Sequence, residues 1–374
     1  MAGRRGVVTV TGERAALAGL WSVPGIGEQS IAYLRNEVGL EQIAAAPPLQ
    51  WLSSTRLKRK QKLSLEGPTL VERSEALLES ARRTGAKVAF FDDPEFPATL
   101  REVRAHPPLL FFQGVGEVPG KRRVAMVGTR HADNNFRGTS EQLAESIALQ
   151  GIGVISGAAM GIDTECHRGA LLAGGETWAV LGSSLDQIDP HPRKVTDYLL
   201  THGGTVWSDY PPGVRAEKSH FVRRNRLIAW MADVTLVTRG GLASGALYTV
   251  DKALEWRRPV LAVPGEITVE QAMGTNALIR DGWARPCLAA RDVLVALGLQ
   301  AAVLLKHPIK YDPKAPVSKK AQQALFALGK LELDFDLWLE RSGLGASALM
   351  SCFVELELSG RVVECPGKTY VARV

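Results

Sequence analysis

The feature that most constrains the fold is a series of short apolar segments that begins near residue 86. These segments are rich in Val, Ile and Leu, and stretches with apolar residues at helical spacing separate most of them. Strands that are apolar throughout and alternate with helices are typical of a parallel sheet covered on both faces. The sequence therefore predicts an α/β fold whose ligands bind at the carboxyl ends of the strands. The predicted strands are 88–91, 109–114, 124–127, 153–155, 177–181, 205–207, 234–237 and 259–263, and the predicted helices between them are 140–149, 166–172, 195–201, 224–232 and 247–256.

The residues before this series are predicted to form small helices, at 14–20, 29–38 and 70–83. Val23-Pro24-Gly25-Ile26-Gly27, between the first two, resembles the hairpin of a helix-hairpin-helix, whose loop amides can hold a DNA phosphate. A Pro-Gly turn without that role explains the same residues equally well.

The C-terminal part begins with a segment rich in Lys and Pro, at 305–320, which is typical of a linker. Predicted helices at 320–328, 336–341 and 346–358 follow, and then a hairpin at 362–374 that turns at Pro366-Gly367. This order resembles a winged helix. The length of 374 residues also suggests two or three domains, at about 150 residues each.

The net charge excludes few classes of partner, whereas the cysteine content indicates a cellular compartment. The formal net charge of +6 permits an anionic partner without requiring one. The four cysteines form no CxxC pair, so we expect reduced thiols in a cytoplasmic protein, and no zinc site. The N-terminus lacks the apolar segment of a signal peptide, and the uncharged run 146–162 contains four glycines, so we expect no membrane span.

Two glycine-containing loops that follow predicted strands are candidate anion sites. In the first, 124–130, Arg130 stands where a dinucleotide-binding GxGxxG motif has its second glycine, so we expect no nicotinamide or flavin cofactor. Arg130 is instead a candidate phosphate ligand. The second loop, 156–163, lacks the Gly-Lys-Ser/Thr of a P-loop. Asp163, Cys166 and His167 then share one helical face, but they are too few for a metal site, and the simpler interpretation is an Asp cap beside a packed His.

A basic and aromatic cluster at 218–226 carries the strongest signal. Its arginines lie at the start of a predicted helix, where cations meet the positive end of the helix dipole, so we expect an anion to neutralise them. Phe221 lies inside the cluster, and aromatic side chains among cations suit single-stranded nucleic acid, whose bases stack and whose phosphates pair. The alternative places Phe221 in the core and leaves the arginines solvated or salt-bridged.

Three further segments have two interpretations each. Ser244, in the glycine-rich loop 238–247, can cap a helix or meet a phosphate. The segment 56–62 has five cations and no acid; it is either a solvated helix face or an extension of a nucleic-acid track. The predicted helix 346–358 has no Lys or Arg, and 317–374 has no net charge, so we expect the winged helix to serve protein contacts or stability.

Several of these segments, in this order and spacing, resemble the DNA-processing protein A (DprA, or Smf) family. They are VGTR at 127–130, SGAAMGIDTECHRGAL at 156–171, KSHFVRRNRLIA at 218–229, SGAL at 244–247 and VPG at 263–265, preceded by FPATLREVRAHPPLLFFQG at 96–114. The resemblance covers residues 86–290. This sequence has Thr129 where Ser is frequent, Ala158 and Ala159 in the glycine-rich loop, and Val222 where Pro is usual.

The resemblance implies a non-enzymatic protein without a cofactor. Such proteins bind single-stranded DNA entering during natural transformation, protect it from nucleases and help load RecA recombinase. The fold implied is an extended Rossmann-like sheet at 86–300, with a helical domain of SAM or helix-hairpin-helix type at 1–85, a linker at 301–316 and a winged-helix-like domain at 317–374. The implied DNA site comprises Arg130, Lys218, Phe221 and Arg224, with Gly128, Ser156, Gly157 and Ser244 in the phosphate loops.

The resemblance also implies a homodimer through the Rossmann-like domain. We expect its surface near Ile279, on a predicted helix at 276–283, although Arg280, Asp281 and Arg285 make that helix polar. Two other classes of function stay open. One is a Rossmann-like nucleoside monophosphate phosphoribohydrolase, for which 240–251 offers a glycine-rich loop and Asp251 in place of the Glu. The other is a scaffold that binds RecA, with incidental DNA contact.

Overall fold

A computed structural model describes residues 10–44, 46–104, 106–299, 317–329, 331–359, 361–365 and 369–372. The chain forms two compact units, Met1–Leu299 and Gln300–Val374. The predicted linker at 301–316 and the hairpin turn at Pro366-Gly367 lie outside the described residues. The division of the first unit into a helical domain and a sheet domain near residue 85 stays a prediction.

Six helices lie between residues 10 and 85 of the first unit, among the residues that the structure describes there. The three predicted helices are present as α1, α2 and α6, and α6 starts with a capping box in which Thr69 and Glu72 satisfy each other's backbone amides. Helix α1 packs tightly on α6, because a Cβ at Gly19 would lie 2.3 Å from the carbonyl oxygen of Leu70. The bounds are α1 Gly12–Trp21, α2 Glu28–Glu37, α3 Leu40–Ala44, α4 Pro48–Leu52, α5 Arg59–Leu65 and α6 Leu70–Arg83.

A nine-stranded sheet forms the centre of the first unit, in the order β1-β2-β6-β5-β4-β3-β7-β8-β9. The strands from β6 to β9 in this order are parallel to their neighbours, as predicted, whereas β1 and β2 are antiparallel to each other and β2 is antiparallel to β6. The bounds are β1 Lys87–Phe90, β2 Leu109–Gln113, β3 Arg123–Gly128, β4 Gly153–Ser156, β5 Thr177–Val180, β6 Thr205–Ser208, β7 Val234–Arg239, β8 Val260–Ala262 and β9 Arg285–Pro286.

Helices cover both faces of this sheet. One face packs on the N-terminal helices and on α10, and the opposite face packs on α11 and α12. No helix within the described ranges combines the length and the apolar character needed to cross a membrane. The bounds are α7 Ala98–Arg101, α8 Asn134–Ala148, α9 Ile162–Leu172, α10 Pro190–Thr201, α11 Lys218–Trp230, α12 Ala246–Glu255, α13 Glu270–Arg280 and α14 Ala290–Ala296.

The strand order changes direction at β3. The chain runs from β3 to β4, β5 and β6 on one side and then returns to place β7 on the other side of β3. Such a switch point opens a crevice at the carboxyl ends of the two strands. The loops after β3 and β7 therefore lie side by side, and the amide of Thr129 donates to the carbonyl oxygen of Arg239 at 2.8 Å.

The described part of the second unit contains three helices and a three-stranded sheet in the order β10-β12-β11, which agrees with the predicted winged helix. Its core includes Trp338, whose Nε1 donates to the carbonyl oxygen of Ala324 at 2.8 Å. On α17, Leu349, Phe353 and Leu356 are buried, whereas Met350 and Val354 are about half exposed. The bounds are α15 Lys319–Leu328, α16 Phe335–Ser342, α17 Ala346–Leu358, β10 Leu333–Asp334, β11 Val362–Cys365 and β12 Thr369–Ala372.

Candidate nucleic-acid interface

A cavity of about 780 Å³ opens at the switch point between β3 and β7. Its walls come from the loop after β3, the first turns of α11, the loop after β7 with the start of α12, and the start of α13. A cavity of this volume is typical of a small-ligand site. Six of the eight residues in the implied DNA site line it, namely Gly128, Arg130, Lys218, Phe221, Arg224 and Ser244.

Arg130 and Phe221 form a pair in this cavity. The guanidinium carbon of Arg130 lies 5.2 Å from the centroid of the Phe221 ring, which is a cation–π distance. Arg130 is exposed and Phe221 is half-buried. Phe221 is therefore a wall residue, and the alternative that placed it in the core is wrong.

Protein carboxylates neutralise two arginines of the cluster at 218–226. Arg226 Nη2 lies 2.6 Å from Glu28 Oε1 and 2.7 Å from Asp209 Oδ2. Arg223 Nη2 lies 3.5 Å and 3.6 Å from the same two oxygens. The expectation that these arginines need an external anion is thus wrong, because Glu28 and Asp209 supply the negative charge from distant parts of the chain.

Arg224 forms part of the cavity floor and holds the loop after β4. Its side chain is only 3% exposed, and its Nη1 donates to the carbonyl oxygens of Gly157, at 2.7 Å, and Val180. Burial lowers the pKa of Arg224 to about 10, and the nearby Asp163 carboxylate opposes that shift. These contacts give Arg224 a structural task, and its contact with DNA stays a prediction.

The remaining two residues of the implied site, Ser156 and Gly157, do not line the cavity. Ser156 is fully buried, and its hydroxyl donates to the carbonyl oxygen of Met126 at 2.7 Å. A Cβ at Gly157 would lie 2.6 Å from Arg224 Nη1, so a side chain there would displace the arginine. Both residues support the cavity from below, and a direct DNA contact by either also stays a prediction.

Asp163 and His167 are buried groups of this supporting layer. Asp163 Oδ2 accepts from the amide of Gly157 at 3.1 Å, whereas the N-cap of α9 is Gly161, so the expectation of an Asp cap is wrong. Burial raises the pKa of Asp163. His167 Nδ1 lies 2.7 Å from Thr177 Oγ1, and burial, together with the Arg224 charge, lowers the pKa of His167 to about 3. The described ranges contain no cluster of three or more potential metal ligands.

Gly128 and Ser244 shape the loops on the two sides of the cavity. A Cβ at Gly128 would lie 2.6 Å from Ile162 Cγ1, so glycine allows the loop after β3 to approach α9. The N-cap of α12 is Gly245 and not Ser244, although Ser244 Oγ accepts from the amide of Ala246 at 3.3 Å, and Ser244 also lines the cavity. The possibility of a phosphate contact at Ser244 is untested.

Sequence reasoning missed three cavity residues on the wall opposite Phe221's helix. Tyr248 on α12 is 50% exposed, Met273 on α13 is 42% exposed, and Glu270 begins α13. Tyr248 lies in the first turn of α12, just after the glycine-rich loop that contains Ser244. An acid at Glu270 limits the cationic character of this wall.

The charges available to a ligand are therefore fewer than the sequence suggests. Within the described ranges, Arg130 and Lys218 are cavity cations without an acidic partner, and Lys218 is exposed on the first turn of α11. The cavity thus combines two unpaired cations with two partly exposed aromatic rings, Phe221 and Tyr248. Asp251, the candidate catalytic acid, is exposed on α12 and does not line the cavity.

Two family models match the chain. The model of DNA recombination-mediator protein A matches residues 87–298, and the model of the DprA winged helix domain matches residues 308–368. The chain is 30% identical over 309 residues to the putative DNA processing protein DprA of Mycobacterium tuberculosis, covering 79% of each chain. It is 34% identical over 214 residues to the protein Smf of Synechocystis sp., covering 55% of this chain and 53% of that one.

Two solved structures share the fold. DNA processing protein A from Streptococcus pneumoniae superposes with a TM-score of 0.53 and 29% identity, covering 72% of this chain and 98% of that one. DNA processing protein A from Helicobacter pylori gives a TM-score of 0.51 and 24% identity, covering 57% and 95%. With more than half of its length matched by the first model, this chain belongs to the DNA recombination-mediator protein A (DprA/Smf) family.

Proposed function

We propose that the chain binds single-stranded DNA in the cavity between β3 and β7. Arg130 and Lys218 meet backbone phosphates there, and Phe221 stacks on a base. The observation that carries this proposal is the Arg130–Phe221 pair at 5.2 Å, next to a second unpaired cation. Stacking on aromatic rings together with cations along the backbone is how proteins bind single strands without sequence choice.

The shape of the site supports a single strand over a duplex. The cavity is recessed at the end of the sheet, and its aromatic residues can stack only on bases that are unpaired. Phosphate contacts and stacking on base faces carry little sequence information. We therefore expect weak sequence preference.

The relatives support this proposal. The H. pylori protein has a characterised single-stranded DNA binding mode, and the family name describes mediators of DNA recombination. On that basis we propose that this chain protects single-stranded DNA that enters during natural transformation and helps load RecA recombinase onto it. We also propose a cytoplasmic location, since Cys166, Cys287 and Cys352 are free, buried thiols.

We further propose a homodimer formed through the sheet domain. Ile279 is half-buried at the end of α13, while nearby Trp283 and Leu288 are 59% and 79% exposed. Arg280 and Asp281 pair with each other at 2.7 Å, which reduces the polarity that the sequence gives this region. Large exposed apolar side chains close together favour an interface.

A binding measurement tests the central proposal. Fluorescence anisotropy with labelled oligonucleotides should show tighter binding of a single strand than of a duplex of the same sequence. The logarithm of the affinity should fall with the logarithm of the salt concentration, with a slope of about −0.7 per phosphate contact. Arg130→Ala should weaken binding, whereas Arg104→Ala, at an exposed position outside the cavity, should not. Equal affinity for single strand and duplex at moderate salt would refute the proposal.

We propose a binding protein and not an enzyme, because no hydrogen bond among the described residues that line the cavity joins a nucleophile to a general base. The purified protein should leave DNA and nucleoside monophosphates intact. Release of free base that disappears in Asp251→Ala would instead support the phosphoribohydrolase interpretation.

A further inference from the structure

The basic segment 56–62 is an exposed cluster of charge on the N-terminal helices. Arg56, Lys58, Arg59 and Lys60 are exposed, and Lys62 is half-exposed. Leu57, inside the segment, and Leu65, three residues after it, are buried in the core and fix the segment to the fold. The cations therefore have a defined position on the surface.

These cations differ from Arg223 and Arg226 of α11 in that they lack acidic partners among the described residues. Close like charges repel, and at α11 the carboxylates of Glu28 and Asp209 relieve that repulsion. Among the described residues, no acidic side chain pairs with any cation of the basic segment, and the segment itself contains no acid. Among the described residues, these cations are therefore free to meet an external anion.

Two sets of hydrogen bonds hold the basic segment against the hairpin between α1 and α2. The side-chain amide of Gln61 donates to the carbonyl oxygen of Gly25 at 3.0 Å and to Ser30 Oγ at 2.9 Å. The backbone amide of Arg56 donates to the hydroxyl of Tyr33 at 2.8 Å. The segment, the hairpin and α2 are thus one connected surface.

That surface is joined to the helix that lines the cavity. Glu28, the first residue of α2, pairs with Arg226 at 2.6 Å, and Trp21 Nε1 donates to the carbonyl oxygen of Asp209 at 2.8 Å in a buried contact. Arg226 is on α11, the same helix that presents Lys218 and Phe221 to the cavity. The basic segment therefore has a fixed geometry relative to the cavity.

We propose that the basic segment 56–62 binds the phosphate backbone of the part of a single DNA strand that extends beyond the cavity. This inference rests on the proposed function of the cavity. It adds a second, purely electrostatic site whose contribution depends on the length of the strand, because the cations of the segment do not line the cavity and a strand has to extend beyond the cavity to meet them. Charge complementarity and the connection through Glu28 select the backbone of the same strand as its occupant.

The test compares Lys58→Ala/Lys62→Ala with the unchanged full-length chain on two oligonucleotides. Lys58 lies three residues before Gln61 and Lys62 one residue after it, and replacing them leaves the hydrogen bonds of the Gln61 side chain in place. One oligonucleotide has about six nucleotides, within one site, and the other has about thirty, beyond it. The variant should bind the longer strand about 25-fold more weakly at 0.1 M salt, with a salt slope shallower by about 1.4, and the two proteins should converge near 1 M. Binding of the shorter strand should be unchanged.

A matched control removes two cations elsewhere on the same group of helices. Arg82→Ala/Arg83→Ala takes away the same charge from α6, where both arginines are exposed and pair with Glu79. It should leave binding of both lengths unchanged, and circular dichroism should show that both variants fold. An equal effect of the two double variants would mean that net charge, and not the basic segment, determines the affinity, and would overturn the proposal.

The remaining outcomes separate this proposal from the function of the cavity. If the Lys58→Ala/Lys62→Ala variant binds the longer strand as tightly as the unchanged chain, or loses only duplex binding, the basic segment is not the second site. If Phe221→Ala affects neither oligonucleotide while the lysine variant weakens the longer one, the cavity proposal fails and the basic segment stands as a DNA site.

Discussion

Arg224 Nη1 donates to the carbonyl oxygen of Gly157 at 2.7 Å and so ties α11 to the loop after β4. The two residues are adjacent in the fold although 67 positions separate them in the chain. The cationic residues of the site therefore have different roles. Arg224 stabilises the floor of the site, whereas Arg130 and Lys218 are the cations that a ligand can reach.

We expect Arg224→Ala to destabilise the protein. The change would leave the carbonyl oxygens of Gly157 and Val180 without their donor and would remove the charge that favours the buried Asp163 carboxylate. Losses of this kind cost about 3 kcal/mol of the free energy of unfolding. Urea unfolding measures this, with Arg130→Ala as the exposed control that should unfold like the unchanged protein. A stable Arg224→Ala protein that no longer binds DNA would mean that Arg224 contacts the strand directly.

Phe221→Ala and Lys218→Ala should weaken single-strand binding in different ways. Loss of one stacked base should cost about 1–3 kcal/mol at every salt concentration, because stacking releases no counterion. Loss of one phosphate contact should make the salt slope shallower by about 0.7. Titrations at several salt concentrations distinguish the two effects, and Phe221→Trp should restore most of the affinity. The same slope change in both variants would contradict a stacking role for Phe221.

His167 should make the protein less stable in mild acid. Its pKa is about 3 when folded and 6.5 when exposed, so below pH 6.5 the unfolded chain takes up a proton that the folded chain does not. Stability is therefore present above pH 6.5 and is lost as the pH falls toward 3, by about 2 kcal/mol between pH 7 and pH 5.

Asp163, whose pKa is raised by burial, acts in the opposite direction, because its folded form binds a proton more readily than its unfolded form. Comparing the unchanged protein with His167→Gln, in which Asp163 is kept, isolates the histidine. Denaturant unfolding at pH 7 and pH 5 should show a smaller loss for the variant. Equal losses would mean that His167 is accessible to protons in the fold.

Removal of the winged helix should leave most single-strand binding in place. Truncation after Lys314 deletes a unit whose third helix, α17, has no Lys or Arg. The truncated chain should keep its affinity for a single strand within about tenfold and should fold by circular dichroism. A larger loss in a folded protein would show that the second unit holds DNA.

Self-association should depend on the apolar residues after α13. Leu288→Glu places a charge on a side chain that is 79% exposed, so it should weaken a dimer without harming the fold. Sedimentation velocity measures the outcome, with Leu149→Glu on a side chain that is 63% exposed as the control. A dimer that survives Leu288→Glu unchanged would place the interface elsewhere.

The sequence predicted the eight longer strands because uninterrupted apolar runs are a strong signal. It missed β9, because this strand has only two residues, Arg285 and Pro286, and both are exposed. It did not give the direction of β1 and β2, because an apolar run is the same whether a strand lies parallel or antiparallel to its neighbour. Helices α3 and α4 were missed as well, since five residues are too few to show a helical period.

In the candidate site, sequence reasoning named six residues that line the cavity but misassigned the charges. Glu28 and Asp209 neutralise the charge of Arg226. No local sequence pattern indicates the contact with Glu28, which lies 198 positions away. The sequence also does not show that Ser156, the first residue of the glycine-rich loop 156–163, is buried beneath that loop. Tyr248 lies in the first turn of α12, one residue beyond the glycine-rich loop that the sequence singled out.

The ion pair between Glu28 and Arg226 has a consequence for how the protein is made. Glu28 leaves the ribosome 198 residues before its partner. At a synthesis rate of about 5–20 residues per second, the nascent N-terminal helices wait roughly 10–40 s with that carboxylate unpaired and with the face that α11 will cover open to water. The first 85 residues therefore emerge early but reach their final contacts only when more than half of the chain has been translated.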